Sequence, residues 1–184
     1  MDPYENHYVP GYAPMSLQAD AVYCSHEHSD HGAAHIVTLS GNPCSIPVST
    51  LDTWHDEVQG AKRGPNRIHI FASEGMRVAH LGDLGCELTP SQIDTLQNVD
   101  VLLLPVGGFY TIDAKQAADI VRQLHPRVVI PMHYRSETFG YDVLSCVDDF
   151  LSLYPGTITR LDTNQAEITP DTPPQVIVPA YLPN

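Results

Sequence analysis

The second half of the chain alternates short apolar runs with an amphipathic stretch. Val101–Val106 and Arg127–Met132 are apolar almost throughout, which is typical of strands buried on both faces of a parallel sheet. The segment between them begins at Asp113, ends at Pro126, and repeats its apolar residues at helical spacing: Ala117, Ile120, Val121 and Leu124. The pattern predicts a strand–helix–strand unit and therefore an α/β fold.

The pattern before residue 100 predicts antiparallel structure. Arg67–Ala72 and Met76–Leu81 are expected to form a hairpin with Gly75 in its turn. Thr89 is expected to cap a helix that runs to about Asn98. The remaining predicted elements are a helix at Ser145–Tyr154 and strands at Ala21–Cys24, His35–Thr38, Ser45–Thr50, Thr157–Leu161 and Gln175–Val178.

Length and charge limit the classes of protein to consider. A chain of 184 residues is expected to be one domain, 1–184. Nine basic residues against 22 acidic ones give a net charge of −13, which argues against nucleic acid and anionic membranes as partners and leaves a small molecule. The sequence has no apolar run of about 20 residues, the length that a membrane-spanning helix needs. The four cysteines form no Cys-x-x-Cys pair, which favours reduced thiols in the cytoplasm.

Three histidines and two carboxylates lie close together directly after the first predicted strand. In an extended segment His26 and His28 point to the same side, whereas Asp30 and His31 are adjacent and need a turn to share a target. This spacing predicts two neighbouring metal positions. Imidazole and carboxylate ligands without thiolate suit two divalent ions, Zn²⁺ first, with Mn²⁺ or Fe²⁺ as alternatives.

The sequence His26-x-His28-x-Asp30-His31 resembles the signature of the metallo-β-lactamase superfamily of hydrolases. The resemblance implies a four-layer αββα sandwich. It also implies further ligands: His55 on the loop after a strand, Asp83 in Gly-Asp-Leu-Gly, and His133 at the end of a strand. The implied metal ligands are His26, His28 and His55 for one ion and Asp30, His31, Asp83 and His133 for the other.

The resemblance also implies roles around those ligands. Asp2 would support the ligands from behind. His80 would lie beside Asp83 without being a ligand, and His69 would lie on a strand face. A hydroxide held by the two ions would attack a small ester, lactone or phosphoester, with Asp30 and His133 as the catalytic residues. Tyr110 or Tyr134 would donate a hydrogen bond to the substrate. Arg135 would be the basic residue that binds the phosphate of a phosphorylated substrate.

Gly-Asp-Leu-Gly, Val-Gly-Gly-x-Tyr-Thr and Pro-Met-His-Tyr look most like the subgroup that includes L-ascorbate-6-phosphate lactonase. Two alternatives stay open: a metal-binding protein with little activity, and a nuclease of the same superfamily. Strands that normally precede Asp2 are absent, so the fold would be shortened at its N-terminus. We therefore expect either a homo-oligomer that covers Ala21–Cys24 or a longer product with those strands upstream.

Overall fold

The protein is described by a computed structural model that covers residues 1–181, and its centre is a seven-stranded mixed sheet. The strands are β1 (Leu17–Ala19), β2 (Val37–Leu39), β3 (Val48–Trp54), β4 (Pro65–Ser73), β5 (Met76–His80), β6 (Val101–Pro105), β7 (Val128–Met132), β8 (Thr157–Arg160) and β9 (Gln175–Val178). The helices are α1 (Pro90–Leu96), α2 (Ala114–Leu124) and α3 (Val147–Leu151), with a short 3₁₀ turn at Ala34–Ile36.

The strand order of the large sheet is β3-β4-β5-β6-β7-β9-β8. β3, β4 and β5 pair antiparallel, and from β5 to β8 each neighbouring pair is parallel. β1 and β2 form a separate two-stranded parallel sheet. The α/β fold predicted from the sequence, with a hairpin followed by parallel strands, is confirmed.

The three helices pack against one face of the large sheet. Leu102 and Leu104 of β6 face this side and join a buried cluster that includes Leu96 of α1, Leu124 of α2 and Phe150 of α3. The other face carries a smaller cluster built on Val101, Val128 and Ile177. The larger cluster therefore supplies most of the hydrophobic stabilisation and fixes the parallel strands as a rigid support.

The helix ends follow the sequence signals. The side chains of Thr89 and Asp113 each accept a hydrogen bond from the backbone N–H three residues on. The side chains of Gln92 and Gln116 in turn accept the backbone N–H of Thr89 and Asp113, so α1 and α2 both begin with a capping box. His125 ends α2 in a left-handed conformation, and Pro126 follows. None of the helices in the described residues is long and apolar enough to cross a membrane.

The strand predicted at Ala21–Cys24 is wrong. The segment is extended, but the Tyr23 carbonyl accepts from the Asp2 N–H, and the Ser25 carbonyl accepts from the Arg67 N–H. Among residues 1–181 these isolated bonds do not make a ladder, and the self-association expected of this segment stays a prediction. The apolar run correctly indicated partial burial but could not show which groups its backbone would bond.

Two other boundaries differ from prediction. β3 begins at Val48 and runs to Trp54, because its ladder with β4 continues to the pair Trp54–Pro65. The residues before α3 are extended through Cys146, which pairs with Arg135 in an isolated bridge, so that helix is shorter than predicted. Cys44 is exposed, and all four cysteines are free thiols.

Candidate metal centre

The candidate site lies at one edge of the large sheet, where several strands end. β3, β5 and β7 run in the same direction, so their carboxyl ends meet at this edge. His55 directly follows β3, Asp83 lies three residues after β5, and His133 directly follows β7. The loop Ser25–Gly32 brings the remaining polar side chains to the same place.

The Asp83 carboxylate is the centre of this cluster, and its side chain is 2% exposed. Four imidazoles surround it, with their Nε2 atoms close to its two oxygens: His31 at 3.3 Å from Oδ1, and His55 at 3.3 Å, His133 at 3.3 Å and His26 at 3.9 Å from Oδ2. A carboxylate has two acceptor oxygens and can therefore face two cations at once. Oδ1 of Asp83 therefore faces His31, and its Oδ2 faces the other three imidazoles.

Three sets of side chains in the described residues offer ligand atoms that lie within 4.8 Å of one another. The sets are His26, His28 and His55; His26, His31 and Asp83; and Asp30, His31 and His133. The first set is the predicted ligand set of one ion, and the third holds three of the four ligands predicted for the other. The structure thus brings all seven predicted ligands together, and their binding of metal stays a prediction.

The tautomer of His26 follows from its neighbours. The Ser25 hydroxyl donates to Asp2 Oδ2 at 2.8 Å and lies 2.9 Å from Nδ1 of His26. Because that hydroxyl proton is used, Nδ1–H of His26 is the donor to Ser25 Oγ, and the lone pair of His26 is on Nε2. Burial lowers the pKa of His26 to about 3, so the ring is neutral and suited to hold a cation.

His31 is oriented in the same manner by Asp2. Nδ1 of His31 lies 3.1 Å from Asp2 Oδ2, which directs Nε2 toward Asp83. Burial alone would lower the pKa of His31, but the Asp83 charge and the hydrogen bond to Asp2 outweigh it and raise the pKa to about 9. The Asp2 contact predicted from the sequence is therefore present, and in the metal-free protein His31 neutralises part of the buried negative charge.

Asn66 holds Asp83 in place, and the sequence did not indicate this. Its Oδ1 accepts from the Asp83 N–H at 2.9 Å, and its Nδ2 donates to the Leu81 carbonyl at 2.9 Å and to Thr53 Oγ1 at 2.8 Å. Burial would raise the pKa of Asp83, but the imidazoles of His133 and His31 hold that pKa far below its usual value. Asp83 is therefore an ionised, buried and fixed carboxylate.

Several buried polar atoms of the cluster have no hydrogen-bond partner among residues 1–181: His26 Nε2, His55 Nδ1, Asp83 Oδ1 and His133 Nδ1. Unpaired buried polar atoms are costly and uncommon, and the two that lie at the centre of the cluster, His26 Nε2 and Asp83 Oδ1, indicate a missing ligand. Neutral imidazoles and carboxylates are the donor types that Zn²⁺, Mn²⁺ and Fe²⁺ accept. The residues present therefore fit divalent metal.

Asp56 fixes the loop that follows His55. Its carboxylate accepts four backbone N–H groups, from Val58, Gly60, Lys62 and Arg63, at 2.7–2.9 Å. Burial would raise the pKa of Asp56, and these bonds lower it. Gly85 packs so tightly on this loop that a Cβ there would lie 2.3 Å from the His55 carbonyl carbon. The loop Asp56–Gly64 is thus ordered by contacts that are hard to see in the sequence.

A cavity of about 310 Å³ opens beside the cluster. His28, Asp30, His55 and Asp83 line its floor, and Arg63 and three tyrosines, Tyr8, Tyr110 and Tyr141, line the rest. Burial and the nearby Asp30 charge raise the pKa of Tyr141, so its hydroxyl is protonated. Substrate-sized space therefore lies in direct contact with the predicted ligands.

The remaining predicted residues are placed as follows. Tyr110 lines this cavity, whereas Tyr134 packs against Phe139 and lines a second cavity of about 210 Å³ that also contacts His31 and His133. Arg135, predicted to meet a phosphorylated substrate, instead donates to the Leu144 carbonyl at 2.7 Å and does not line the cavity. Its place as the cation of the site is taken by Arg63, which the sequence did not single out.

His69 and His80 are the two histidines that the sequence analysis placed outside the ligand set, and the structure places them outside it as well. The ring of His69 lies 5.6 Å from that of Tyr23 and 6.3 Å from that of Phe71, on a face of β4. His80 lies near Asp2, and its Nδ1 accepts the Gly82 N–H at 3.1 Å. Both lie outside the three sets of converging side chains in the described region.

The geometry agrees with what known proteins show. The family model of the beta-lactamase superfamily domain matches residues 1–133. The chain belongs to the beta-lactamase superfamily. The resemblance seen in the His26–His31 motif is therefore confirmed, and the superfamily hydrolase class predicted from it is confirmed with it.

Relatives from archaea and bacteria support the superfamily assignment. A protein of the UPF0173 group from Pyrococcus furiosus is 48% identical over 143 residues, which cover 64% of this chain and 67% of that one. A UPF0173 metal-dependent hydrolase from Caldivirga maquilingensis is 28% identical, covering 67% of this chain and 70% of that one. The match to a third, from Staphylothermus marinus, covers 36% of that protein's length.

A solved structure agrees as well. A protein from Thermotoga maritima, described as a Zn-dependent hydrolase of the metallo-beta-lactamase superfamily, superposes with a TM-score of 0.70 at 34% identity. The match covers 90% of this chain and 84% of that one. The superfamily fold is thus shared over most of both chains.

Proposed function

We propose that this chain hydrolyses a small ester, lactone or phosphoester with two divalent ions, Zn²⁺ first, held on either side of Asp83. The observation that supports this most is the contact of one buried carboxylate with four imidazoles at the edge of an open cavity. The homologous proteins named metal-dependent hydrolases support the same reaction class.

In this proposal His26, His28 and His55 would hold one ion, Asp30, His31 and His133 would hold the second, and Asp83 would serve as a ligand shared by the two. Divalent ions in this position would supply an activated water molecule and polarise the bond to be cleaved. The remaining steps belong to the side chains around them, which orient the ligands, move protons and exclude water.

Asp30 and Tyr141 are the two side chains best placed to assist the reaction. Asp30 is half-buried, lines the cavity, and lies 4.0 Å from Nε2 of His31, so its free oxygen can accept a proton from an attacking water molecule. Tyr141 lines the same cavity with a protonated hydroxyl, which can donate a hydrogen bond to a developing oxyanion. Nε2 of His133 lies 3.3 Å from Oδ2 of Asp83 and completes the centre.

The experiment is a turnover assay on metal-stripped and metal-reloaded protein with ester, lactone and phosphodiester substrates. We expect activity with Zn²⁺ or Mn²⁺, loss on chelation, and a loss of at least about 100-fold in His133→Ala. His35→Ala is the matched control, because that histidine is exposed and pairs only with Glu5. Protein that binds metal yet hydrolyses none of these substrates would contradict the proposal.

A further inference from the structure

We infer that Arg63 forms an anion-binding subsite, and that the ligand of this cavity carries a compact carboxylate or phosphate group. The inference rests on the proposed function only in placing the bond to be cleaved at the Asp83 cluster. It adds a required anionic group to the small ester, lactone or phosphoester proposed above.

Arg63 lies at the wall of the cavity whose floor is the metal centre. Its guanidinium carbon is 5.5 Å from the centre of the Tyr110 ring, and its Nη2 donates to the Phe109 carbonyl at 3.2 Å. The side chain is half-buried. A guanidinium group has five N–H donors in a planar fork, so one bond to a carbonyl leaves most of them for a ligand.

Arg63 differs from most other arginines in its charge environment. Four arginines form ion pairs with carboxylates: Arg67 with Asp52, Arg122 with Asp119, Arg127 with Asp100, and Arg160 with Asp148. Within residues 1–181 no carboxylate lies within 4.0 Å of the Arg63 guanidinium. In a chain of net charge −13, a cation that faces a cavity without a carboxylate partner is suited to bind an anion.

The backbone that carries Arg63 is held in position before any ligand arrives. Its N–H donates to Asp56 Oδ2 at 2.7 Å, and Asp56 accepts three further backbone groups of the same loop. The His55 N–H donates to the Gly64 carbonyl at 3.1 Å, which fixes the loop to the metal ligand. A cation fixed relative to a reactive centre can set the position of a substrate as well as attract it.

The other walls of the cavity suit a small polar ligand. Tyr8, Tyr110 and Tyr141 supply flat apolar surface and hydroxyl groups. The volume of about 310 Å³ is at the lower end for small-molecule pockets. A ligand that fits this volume with its reactive carbonyl or phosphoryl group at Asp83 is short. A second polar group on such a ligand would lie near Arg63, which lines the same cavity.

The test compares matched ester substrates that differ in one ionised group. The carboxylate arm uses mono-4-nitrophenyl succinate against its methyl ester, and the phosphate arm uses 4-nitrophenyl phosphonoacetate against its diethyl ester, all with zinc-loaded full chain. In Arg63→Gln we expect the KM of the anionic member to rise about tenfold or more, and that of the neutral member to change less than about twofold. Arg63→Lys should fall between, since it keeps the charge without the fork.

Arg67→Gln is the matched control, because it removes the same charge from an exposed arginine already paired with Asp52. Equal losses for anionic and neutral substrates in Arg63→Gln would overturn the inference and indicate that Arg63 only positions Tyr110. A larger effect in one arm identifies that anion as the preferred group, and each such result supports the inference.

A binding measurement separates this inference from the proposed reaction. Calorimetric titration of succinate and phosphonoacetate into zinc-loaded protein should give dissociation constants about tenfold weaker in Arg63→Gln than in the unchanged protein. If no substrate is hydrolysed but this difference is found, the proposed reaction fails and the anion subsite stands. Equal dissociation constants would overturn the subsite even if hydrolysis is found.

Discussion

Oδ2 of Asp2 lies 3.1 Å from Nδ1 of His31. The opposite nitrogen of the same ring faces Asp83, so a residue at the start of the chain controls the orientation of a predicted ligand. The same Asp2 oxygen accepts from the Ser25 hydroxyl, which lies beside Nδ1 of His26. The Asp2 carboxylate therefore orients two imidazoles, that of His31 by direct contact and that of His26 through the Ser25 hydroxyl.

We expect Asp2→Asn to weaken metal binding by about 10- to 100-fold while leaving the fold intact. An amide can still occupy the space but does not hold the His31 Nδ1–H as strongly as a carboxylate does. The measurement is a competition titration with a chromogenic zinc chelator. Asp171→Asn is the control, because that side chain is exposed, and an equal affinity in both variants would contradict this role for Asp2.

Metal removal should lower thermal stability. The buried Nε2 of His26 and Oδ1 of Asp83 have no hydrogen-bond partner among the described residues, and they lose their ligand when a chelator strips the protein. Zinc that binds only the folded state, at a free concentration 100 times its dissociation constant, should raise the unfolding free energy by about 2.7 kcal/mol. Calorimetric scans of chelated and reloaded protein measure this, and an identical Tm in the two forms would count against a preformed site.

Asn66→Ala should destabilise the protein by about 2–4 kcal/mol and weaken metal binding, because it leaves the Asp83 N–H and the Leu81 carbonyl without their partner. Urea unfolding of the metal-free form measures the stability. Asn164→Ala, at an exposed position, is the control. A variant as stable as the control would show that water replaces the amide without cost.

His80 predicts a specific dependence of stability on pH. Burial lowers the pKa of His80 from 6.5 to about 4, and its Nδ1 must be unprotonated to accept the Gly82 N–H. The unfolded state therefore binds more protons between these values, so the contribution of His80 is present above pH 6.5 and is lost as the pH falls toward 4. The loss should be about 2–3 kcal/mol.

The measurement is urea unfolding of metal-free protein at several pH values. His80→Gln should show a smaller decrease in stability between pH 6.5 and 4 than the unchanged protein, since glutamine can accept the same bond without titrating. His35→Gln, at an exposed position, should follow the unchanged protein. Parallel curves for His80→Gln and the unchanged protein would contradict the assignment.

The sequence predicted those features that depend on local spacing. The capping residues Thr89 and Asp113, the hairpin turn at Gly75 and the apolar strand of β6 each carry their signal within a few neighbouring residues. The motif His26–His31 indicated metal by its spacing, whereas His55, Asp83 and His133 were predicted as ligands from the superfamily resemblance that this motif carries. The structure brings them together at one edge, as the strand directions require.

Features that depend on distant contacts were not predictable. Asn66 reaches Asp83 across 17 positions, and nothing in Gly-Pro-Asn indicates that its amide accepts that N–H. Arg63 and Arg135 look alike in the sequence, and only the fold shows that one lines the cavity and the other binds a carbonyl. The extended segment Ala21–Cys24 has the composition of a strand but no partner for a ladder among the described residues.

The most direct test of the central proposal is anomalous diffraction at the zinc edge from crystals of zinc-loaded protein. We predict two peaks about 3.5–4 Å apart. One should lie among His26, His28 and His55, the other among Asp30, His31 and His133, and both should be in contact with Asp83. A single peak that leaves Asp83 uncoordinated, or no peak at this edge of the sheet, would contradict the proposed two-metal centre.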